Sequence, residues 1–283
     1  MSAVTTIRRS YLRMNEHNQF RLAGLCSDNT PLPVMICLLG NFRLLVAGEP
    51  ISSGTSGKRE MFLSLLALRS GRRVSREQLV QVLWPASEPT LARNSLHNLI
   101  YHLHKLLSSA LGGAAPVLHE DGDYWLNTEA GVGVDVACFD YLVEEGDRQI
   151  QVGDPMVAIR CYDQAVKLYR DDLQFTPDVQ TVMQRERLRG RYVTLLIQIA
   201  EYYYRQGAYN TALRYLWQML MRDPSREDAH RLLMRCYVRR GERAEALRHY
   251  RVCVEAVRTE FDAPPEPATV ALFDQIRFTP DQI

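Results

Sequence analysis

The chain has 283 residues, a length typical of about two domains. Its 46% hydrophobic and 24% charged residues are average for a globular protein, which argues against a disordered, collagen-like or disulfide-stapled chain. The net charge is only +1, but residues 1–108 carry 13 Lys and Arg against 6 Asp and Glu, and residues 109–142 carry 6 acidic residues and no basic ones. The positive excess indicates where a nucleic-acid surface would lie.

The cysteines and the apolar segments bear on compartment and cofactors. The 6 cysteines are scattered, without a C-x-x-C motif or clustered histidines, which favours buried free thiols in a reducing compartment and predicts no zinc site and no cofactor. No uninterrupted apolar stretch approaches the about 18 residues of a membrane span, and no apolar segment follows Arg8 and Arg9 as in a signal peptide. We therefore expect a cytoplasmic protein.

The sequence of the N-terminal part predicts an extension that is followed by strands. Residues 1–33 have no clear period, so we expect a mostly loose segment with a short helix near Ser10–Asn18. Two short apolar runs then flank a Gly-Asn pair and predict strands at Val34–Leu39 and Phe42–Ala47. A further turn is expected at Gly48-Glu49-Pro50.

Three helices are predicted next. Apolar residues spaced three to four apart predict the first helix at about Lys58–Arg69, ended by Gly71. The sequence Ser75-Arg-Glu-Gln78 is a capping box that opens a short second helix, which ends at Trp84-Pro85. The third helix is expected from about Thr90 to Ser109.

A β-hairpin completes the first half. Two short strands are predicted over Val117–Leu126, around an Asp121-Gly122 turn. Strands, three helices and a hairpin in this order are typical of the winged helix-turn-helix, in which helices two and three form the turn motif and the hairpin forms the wing. The leading strands match the subtype found in response-regulator output domains.

The second half is helical and repeats itself. Four residues recur after 34 positions, the tetratricopeptide period. Asp223-Pro224 separates the two repeats. A weaker third repeat is expected at Gly153–Leu168, displaced by an insertion of about 20 residues around Asp171–Gln184. The recurring residues are Tyr203, Gly207, Ala212 and Leu213, with their counterparts Tyr237, Gly241, Ala246 and Leu247.

The third helix has a polar stripe opposite an apolar one. At about 100° per residue, one face of the helix is predicted to be buried; it comprises Leu96, Leu99, Ile100, Leu103 and Leu107. Asn, Tyr and Lys side chains lie opposite, flanked by His97 and His102. Asn can bond bidentately to adenine, whereas Lys and Tyr suit phosphates or guanine edges. The alternative is an ordinary solvated helix face.

This stripe, the wing and the start of the first helix are therefore the predicted DNA surface. Because imidazoles are mostly neutral at pH 7, His97, His102 and His104 attract phosphate less than permanent cations would. Arg72, Arg73 and Arg76 are further basic side chains that could supply positive charge in place of these histidines. The predicted DNA-contacting residues are Arg93, Asn94, His97, Asn98, Tyr101, His102, Lys105, Lys58, Arg59, Gly122 and Tyr124.

Signals for catalysis are weak or absent in the sequence. The segment Ser52–Arg59 resembles a phosphate-binding loop, but Ser52 stands where Gly is required and Arg59 where Ser or Thr is required. We expect a flexible turn there, no nucleotide hydrolysis and no metal site, and hence a protein that is not an enzyme. A cluster of tyrosines could line a peptide groove, although a core role is favoured; it comprises Tyr202, Tyr203, Tyr204 and Tyr209.

Taken in order, several stretches resemble the SARP-type bacterial transcriptional activators. The resemblance covers roughly Val34–Ile276. It implies a mainly α fold with small β, a winged helix at 34–136 and a bacterial transcriptional activator domain of tetratricopeptide-like helices at 137–283. The matching stretches are Leu38–Arg43, Leu65–Leu68, Val74–Leu79, Leu83–Pro85, Ser95–Leu107, Asp123–Leu126, Val134–Val136 with Phe139, Asp223-Pro224, Glu227–His230, Leu233-Met234, Gly241, Ala246-Leu247, Tyr250, Glu260, Pro264, Thr269 and Leu272.

The resemblance also implies function and partners. We expect a sequence-specific activator that binds promoter DNA through residues 90–109 and the wing, as a homodimer on direct repeats, and that helps recruit RNA polymerase. Trp84 is expected in the core. The loop after it is implied to contact polymerase through Pro85, Ala86, Ser87, Glu88 and Pro89.

One departure from the family keeps an alternative open. The family usually carries Arg at several positions that here hold His97, His102 and His104. DNA binding is then either weaker and dependent on a partner, or other basic side chains compensate for the missing positive charge. The alternative is a helical-repeat regulatory or adaptor protein that binds a protein or small ligand and has a weakened DNA-binding domain.

Overall fold

The computed structural model describes residues 32–51, 57–69 and 71–283. The helix expected near Ser10–Asn18, and nearly all of the extension around it, lie outside the described residues. Residues 52–56 of the expected flexible turn also lie outside them, whereas Gly57 already belongs to the first helix. The chain divides into two compact units, and the division falls between Arg187 and Leu188 in the sequence.

A four-stranded sheet opens the first unit. β1 (Val34–Cys37) pairs antiparallel with β2 (Arg43–Val46), as the apolar runs predict. β3 (Glu49–Ile51) continues the sheet beyond β2, and β7 (Val132–Val134) lies parallel to β1 on its other side.

The turn predicted at Gly48-Glu49-Pro50 is misplaced. The chain turns at Ala47 and Gly48, both of which have a positive φ, and Glu49 and Pro50 already lie in β3. Proline is accepted there because β3 is an edge strand, where a missing N–H need not interrupt the ladder.

Three helices follow in the predicted order: α1 (Gly57–Leu68), α2 (Arg76–Leu83) and α3 (Pro89–Leu107). The capping box is confirmed, because the Ser75 hydroxyl accepts from the Gln78 N–H while the Gln78 side chain accepts from the Ser75 N–H. Each box of this kind satisfies two of the otherwise unpaired donors at a helix start.

The wing is also confirmed. β5 (Val117–Glu120) and β6 (Asp123–Leu126) form the hairpin, and Asp121 and Gly122 have φ of 50° and 88°, as a type I′ turn requires. The two-residue strand β4 (Val74–Ser75) pairs with β6 and ties the wing to the chain that leads into α2. The first unit therefore contains a winged helix-turn-helix.

Two closely packed helices, α4 (Asp135–Val152) and α5 (Pro155–Leu168), complete most of the first unit. Gly146 allows the close approach, because a Cβ there would lie 2.3 Å from Cε1 of Tyr162. The Tyr162 hydroxyl donates to Asp147 at 2.7 Å. Since α4 also packs against β1 and β7, it belongs to the same compact unit as the winged helix. The predicted domain boundary between residues 136 and 137 stays a prediction.

The repeat pattern is confirmed by a helical array. It comprises α6 (Val179–Arg205), α7 (Tyr209–Leu220), α8 (Glu227–Arg239), α9 (Arg243–Phe261), α10 (Pro267–Phe278) and a short 3₁₀ turn (Pro280–Gln282). The insertion predicted around Asp171–Gln184 is partly irregular and partly the beginning of α6.

The repeated residues occupy equivalent positions within the second unit. Gly207 and Gly241 turn the chain between helices with φ of 73° and 77°. Ala212 and Ala246 are fully buried, so a small side chain lets each second helix approach its partner. The fold is therefore mainly helical, with small sheets and tetratricopeptide-like repeats.

The predictions for aromatic residues and thiols are partly corrected. The four tyrosines favoured as core residues are each only half buried and pack against aromatic neighbours, as Tyr203 does on Tyr215 at a ring distance of 6.0 Å. The five described cysteines are buried free thiols, and burial raises the pKa of Cys37 to about 11 and of Cys236 to about 12. Among the described helices, none is long and apolar enough to cross a membrane.

Candidate nucleic-acid interface

The orientation of α3 follows from its apolar stripe. Leu96, Leu99, Leu103 and Leu107 are all buried, as predicted, and Ala92 extends the stripe by one turn towards the N-terminus. Ile100, at the edge of the stripe, is only half buried. Burial of one side of the helix leaves the opposite side facing outward.

The outward side of α3 carries the predicted polar side chains. Tyr101 is 64% exposed, and its ring meets His102 edge-on at 5.8 Å. Within the described parts of the chain, the side chains of Asn94, Asn98 and Lys105 make no hydrogen bond or ion pair. All of the α3 residues predicted to contact DNA are exposed: Arg93, Asn94, His97, Asn98, Tyr101, His102 and Lys105.

The loop between α2 and α3 is exposed, and it also has a structural role. The Glu88 carboxylate accepts hydrogen bonds from the N–H groups of Thr90 (3.0 Å) and Leu91 (3.2 Å), so it caps the start of α3. Trp84, predicted in the core, is half buried. The loop residues predicted to contact polymerase are all exposed: Pro85, Ala86, Ser87, Glu88 and Pro89.

The structure corrects one DNA contact that was predicted in the wing. Tyr124 is only 2% exposed, so its ring cannot reach DNA in this structure. Strand alternation explains the error, because Tyr124 and Leu126 point inward and Trp125 therefore points outward. The Arg73 guanidinium lies 4.4 Å from the centre of the Trp125 ring. Trp125 is thus the aromatic side chain that the wing presents.

The tip of the wing is attached to the start of α2. The carbonyl of Gly122 accepts from the Arg76 N–H at 2.9 Å, and Gly122 itself is half buried beside the exposed Asp121. A side-chain hydrogen bond with Tyr124 raises the pKa of Arg76 further above its ordinary value. Arg76 therefore positions the wing, rather than standing free as a phosphate contact.

The basic residues at the start of α1 are less available than predicted. The Lys58 ammonium donates to the carbonyl of Leu83, so it satisfies the C-terminal end of α2. Lysine is a favourable partner for these otherwise unpaired carbonyls. Lys58 is therefore already engaged within the described fold, and its contact with DNA stays a prediction. Arg59 is half buried.

Arg73 is also engaged. It forms an ion pair of 2.7 Å with Glu120, and both side chains are about half exposed. An exposed pair of this kind contributes little stability, so it can open at low energetic cost when a phosphate competes for the guanidinium. Arg72 is exposed and forms no ion pair with any described residue.

Among the residues that the structure describes, the histidines of the candidate interface are not grouped as metal ligands. In the described ranges, no three His, Cys, Asp or Glu side chains lie together in a way that could hold an ion. His97 and His102 point outward on different sides of α3, while His104 is half buried and its Nδ1 has no hydrogen-bond partner within the described part of the chain.

These features define a winged helix-turn-helix protein with tetratricopeptide-like helices, an architecture used in transcriptional regulation. Residues 134–277 match the family described as the bacterial transcriptional activator domain. The matched residues are more than half of the chain, so the protein belongs to this family, among the SARP-type transcriptional regulators.

Named relatives agree with this placement. The chain is 26% identical over 240 residues to the regulatory protein AfsR of Streptomyces coelicolor, covering 84% of this chain but only 24% of AfsR. It is 27% identical over 259 residues to the transcriptional regulatory protein MoaR1 of Mycobacterium bovis, covering 90% of this chain and 82% of MoaR1. The chain thus spans about a quarter of AfsR and most of MoaR1.

A solved structure supports the fold. Mycobacterium tuberculosis EmbR, in complex with a low affinity phosphopeptide, superposes with a TM-score of 0.66 at 21% identity. The similarity covers 87% of this chain and 65% of the EmbR chain.

Proposed function

We propose that the protein is a sequence-specific DNA-binding transcriptional activator. The observation that carries the proposal is the exposed polar face of α3, whose Asn and Lys side chains are not used within the described fold. In a winged helix-turn-helix, the third helix enters the major groove and the wing lies along the backbone. Unpaired amides on that helix are available to read base edges without first breaking a protein contact.

The roles of individual side chains follow from their chemistry. Asn98, at the centre of the outward face, is the proposed base reader, because its amide can bond to N6 and N7 of adenine. Lys105, near the end of α3, is proposed to bind a phosphate, which gives affinity without sequence preference. His97 and His102 flank this line and are proposed to approach the backbone on either side.

A single winged helix covers too little DNA for tight binding. Single modules bury about 600–1,000 Å² of protein surface on DNA. We therefore propose two protomers on directly repeated half-sites, about 10 base pairs apart if both lie on one face of the duplex. The exposed loop Pro85–Pro89 is proposed to contact RNA polymerase, with Glu88 holding the start of α3 at the same time.

The test compares two variants on two kinds of DNA. An operator is first recovered from the genomic DNA that the full chain occupies and is then footprinted. Asn98→Ala should weaken binding to this operator by about 1–3 kcal/mol and affect random duplex much less. Lys105→Ala should weaken both equally and reduce the salt slope by about one phosphate.

A matched control separates recognition from a general effect on folding. Asn210, an exposed residue near the start of α7, provides Asn210→Ala, which should leave both affinities unchanged. Equal losses on both DNAs for Asn98→Ala would remove the residue from base reading. Failure of the full chain to bind any promoter DNA at low salt would contradict the proposal as a whole.

A second candidate function is an adaptor with a weakened DNA-binding domain. The observation that favours it is the partial exposure of the tyrosines of α6 and α7, and the family resemblance adds the expectation of arginines where α3 holds histidines. Tyr204 and Tyr209 lie 5.6 Å apart with tilted rings and are partly open to solvent. Peptide binding that Tyr204→Ala abolishes, without any promoter binding by the full chain, would select this alternative.

A further inference from the structure

A polar cavity lies in the first unit, beside Arg73 of the candidate interface. It has a volume of about 430 Å³ and is lined by α1, the loop that follows it, α2 and the first turns of α6. None of its lining residues belongs to α3 or to the turn of the wing. Its size falls within the range of small-molecule sites.

The chemistry of the lining is that of an oxyanion site. Four arginines contribute to it, and no acidic side chain is among the described lining residues: Arg69, Arg72, Arg73 and Arg187. Guanidinium groups present planar sets of donors that match phosphate and carboxylate oxygens.

Three of these arginines are held by carboxylates outside the lining. Arg69 donates to Asp178 at 2.9 Å, and Arg187 makes two bonds of 2.8 Å to Asp140. Arg73 pairs with Glu120. The Arg69 and Arg187 pairs hold their guanidinium heads in place without occupying all of the donors, so this part of the cavity is organised before a ligand arrives, whereas the exposed Arg73 pair can open.

The fourth arginine supplies uncompensated charge. Arg72 is exposed and forms no ion pair with the residues that the structure describes. The lining therefore carries one more positive charge than its three carboxylate partners neutralise.

The rest of the lining narrows the ligand class. Leu68 is the one apolar residue among the described lining positions, so no aromatic surface is present on which a nucleobase could stack. Glutamines from α2 and α6, among them Gln180 and Gln184, can donate to and accept from hydroxyl groups. A compact ligand with both phosphate and hydroxyl groups fits this combination.

We propose that this cavity binds a small phosphorylated metabolite of the sugar-phosphate class. The phosphate lies against Arg72 and the guanidinium groups beside it, and the hydroxyl groups face the α6 amides. The ligand bridges α1, α2 and the start of α6, and therefore stabilises the helices on which α3 is supported. The proposal does not require that the protein bind DNA.

Calorimetric titration of the full chain tests the proposal without DNA. The probes are glucose 6-phosphate and ribose 5-phosphate, with glucose and inorganic phosphate as matched controls. We expect saturable binding of at least one sugar phosphate at one site per chain, no binding of glucose, and binding of inorganic phosphate at least tenfold weaker. The ligand should also raise the melting temperature, as any ligand specific for the folded state does.

Two variants locate the site. Arg72→Gln removes the unpaired charge from an exposed side chain and should weaken sugar-phosphate binding at least tenfold, while Gln184→Ala should weaken it severalfold. Arg251→Gln, at an exposed arginine of α9 without a partner among the described residues, is the matched control and should change nothing.

Several results would overturn the proposal. If neither sugar phosphate binds at concentrations up to about 10 mM, a metabolite site is excluded, since the binding free energy would then be below about 3 kcal/mol. Equal binding of inorganic phosphate would remove the sugar from the assignment. Equal loss in Arg251→Gln would show unspecific charge attraction. A loss of affinity for duplex DNA in Arg72→Gln, with sugar-phosphate binding unchanged, would identify a DNA phosphate as the natural oxyanion.

Discussion

Each of the two units buries ionisable groups, and these respond to acid in opposite directions. In the first unit, the 2% exposed carboxylate of Asp135 lies at the start of α4. In the second, His230 on α8 and His249 on α9 are 2% and 5% exposed. Burial disfavours the charged form of any group, so it raises the pKa of an acid and lowers that of a base. The cost of burying a charge therefore makes the first unit more stable at low pH and the second unit more stable at high pH.

Asp135 joins α4 to the end of β1. Its carboxylate accepts from the Leu38 N–H at 2.8 Å and from the Leu39 N–H at 2.9 Å. Burial raises the pKa of Asp135 to about 6, even though these hydrogen bonds act to lower it. Because the folded pKa lies above the unfolded one, the stability contributed by protonation is fully present below about pH 4 and is lost as the pH rises through about 6.

The histidines form a short chain of hydrogen bonds. His230 Nε2 lies 2.8 Å from the carbonyl of Pro224, which can only accept, so this nitrogen carries the proton. His230 Nδ1 then accepts from His249 Nε2 at 2.8 Å. Burial, with the neighbouring His230, lowers the pKa of His249 to about 4, and burial also lowers that of His230. The stability of this arrangement is present above about pH 6.5 and is lost as the pH falls towards 4.

The largest effect is expected from removing the acceptor in the first unit. Asp135→Ala leaves the N–H groups of Leu38 and Leu39 buried without a partner, at about 1–3 kcal/mol each. We expect a loss of about 3 kcal/mol in the free energy of unfolding at pH 7. Hydrogen exchange of residues 34–46, followed by mass spectrometry, measures it within the first unit.

Asp135→Asn is the matched control for charge. Its amide oxygen keeps one acceptor, so the loss at pH 7 should be clearly smaller than for Asp135→Ala. The change of stability between about pH 4 and 6 should also be reduced, because the titrating group is gone. An unchanged pH profile in Asp135→Asn would show that another group governs the first unit in this range.

The next effect is the acid sensitivity of the second unit. Between about pH 6.5 and 4, the histidine pair should cost the folded unit about 2 kcal/mol, and His249→Gln should remove most of this dependence. Trp217 reports on the event, because its ring lies edge-on to His249 at 5.3 Å. Denaturation followed by Trp217 fluorescence, with Trp84 and Trp125 replaced by Phe, measures the second unit separately.

The surface histidine His119 provides the control for this measurement. It is exposed in the wing, so His119→Gln should leave the acid response of Trp217 unchanged. A wild-type second unit that is equally stable at pH 4 and 7 would contradict the tautomers and the buried neutral pair assigned above.

Local signals in the sequence predict much of both units. The capping box of Ser75, the Asp121-Gly122 turn and the glycines at the repeat turns each act within a few residues, so their structures follow from local chemistry. The outward face of α3 follows from helical periodicity alone. These features place the winged helix, the repeats and the candidate DNA face.

The features that sequence reasoning missed depend on partners far along the chain. Asp135 bonds to Leu38, 97 residues away, and the Lys58 ammonium reaches the carbonyl of Leu83. The inward direction of Tyr124 could have been found from strand alternation with Leu126, whereas the arginine-lined cavity could not, since α6 contributes residues more than a hundred positions from α1. Which polar side chains remain available for binding is therefore decided only by the folded structure.

The smallest expected effect concerns exposed histidines, which contrast with the buried pair. His97 and His102 stand on the outward side of α3, where they are proposed to approach the DNA backbone. Arginine is a permanent cation, so His97→Arg combined with His102→Arg should tighten DNA binding severalfold and steepen the salt slope, because each added charge displaces a further counterion. Fluorescence anisotropy of a labelled operator at several salt concentrations measures both quantities. His249→Gln, in the buried pair, is the control and should keep the wild-type affinity and slope. If the double Arg variant instead retains both the affinity and the salt slope of the wild type, the two histidines do not face phosphates, and the proposed orientation of α3 on DNA is wrong.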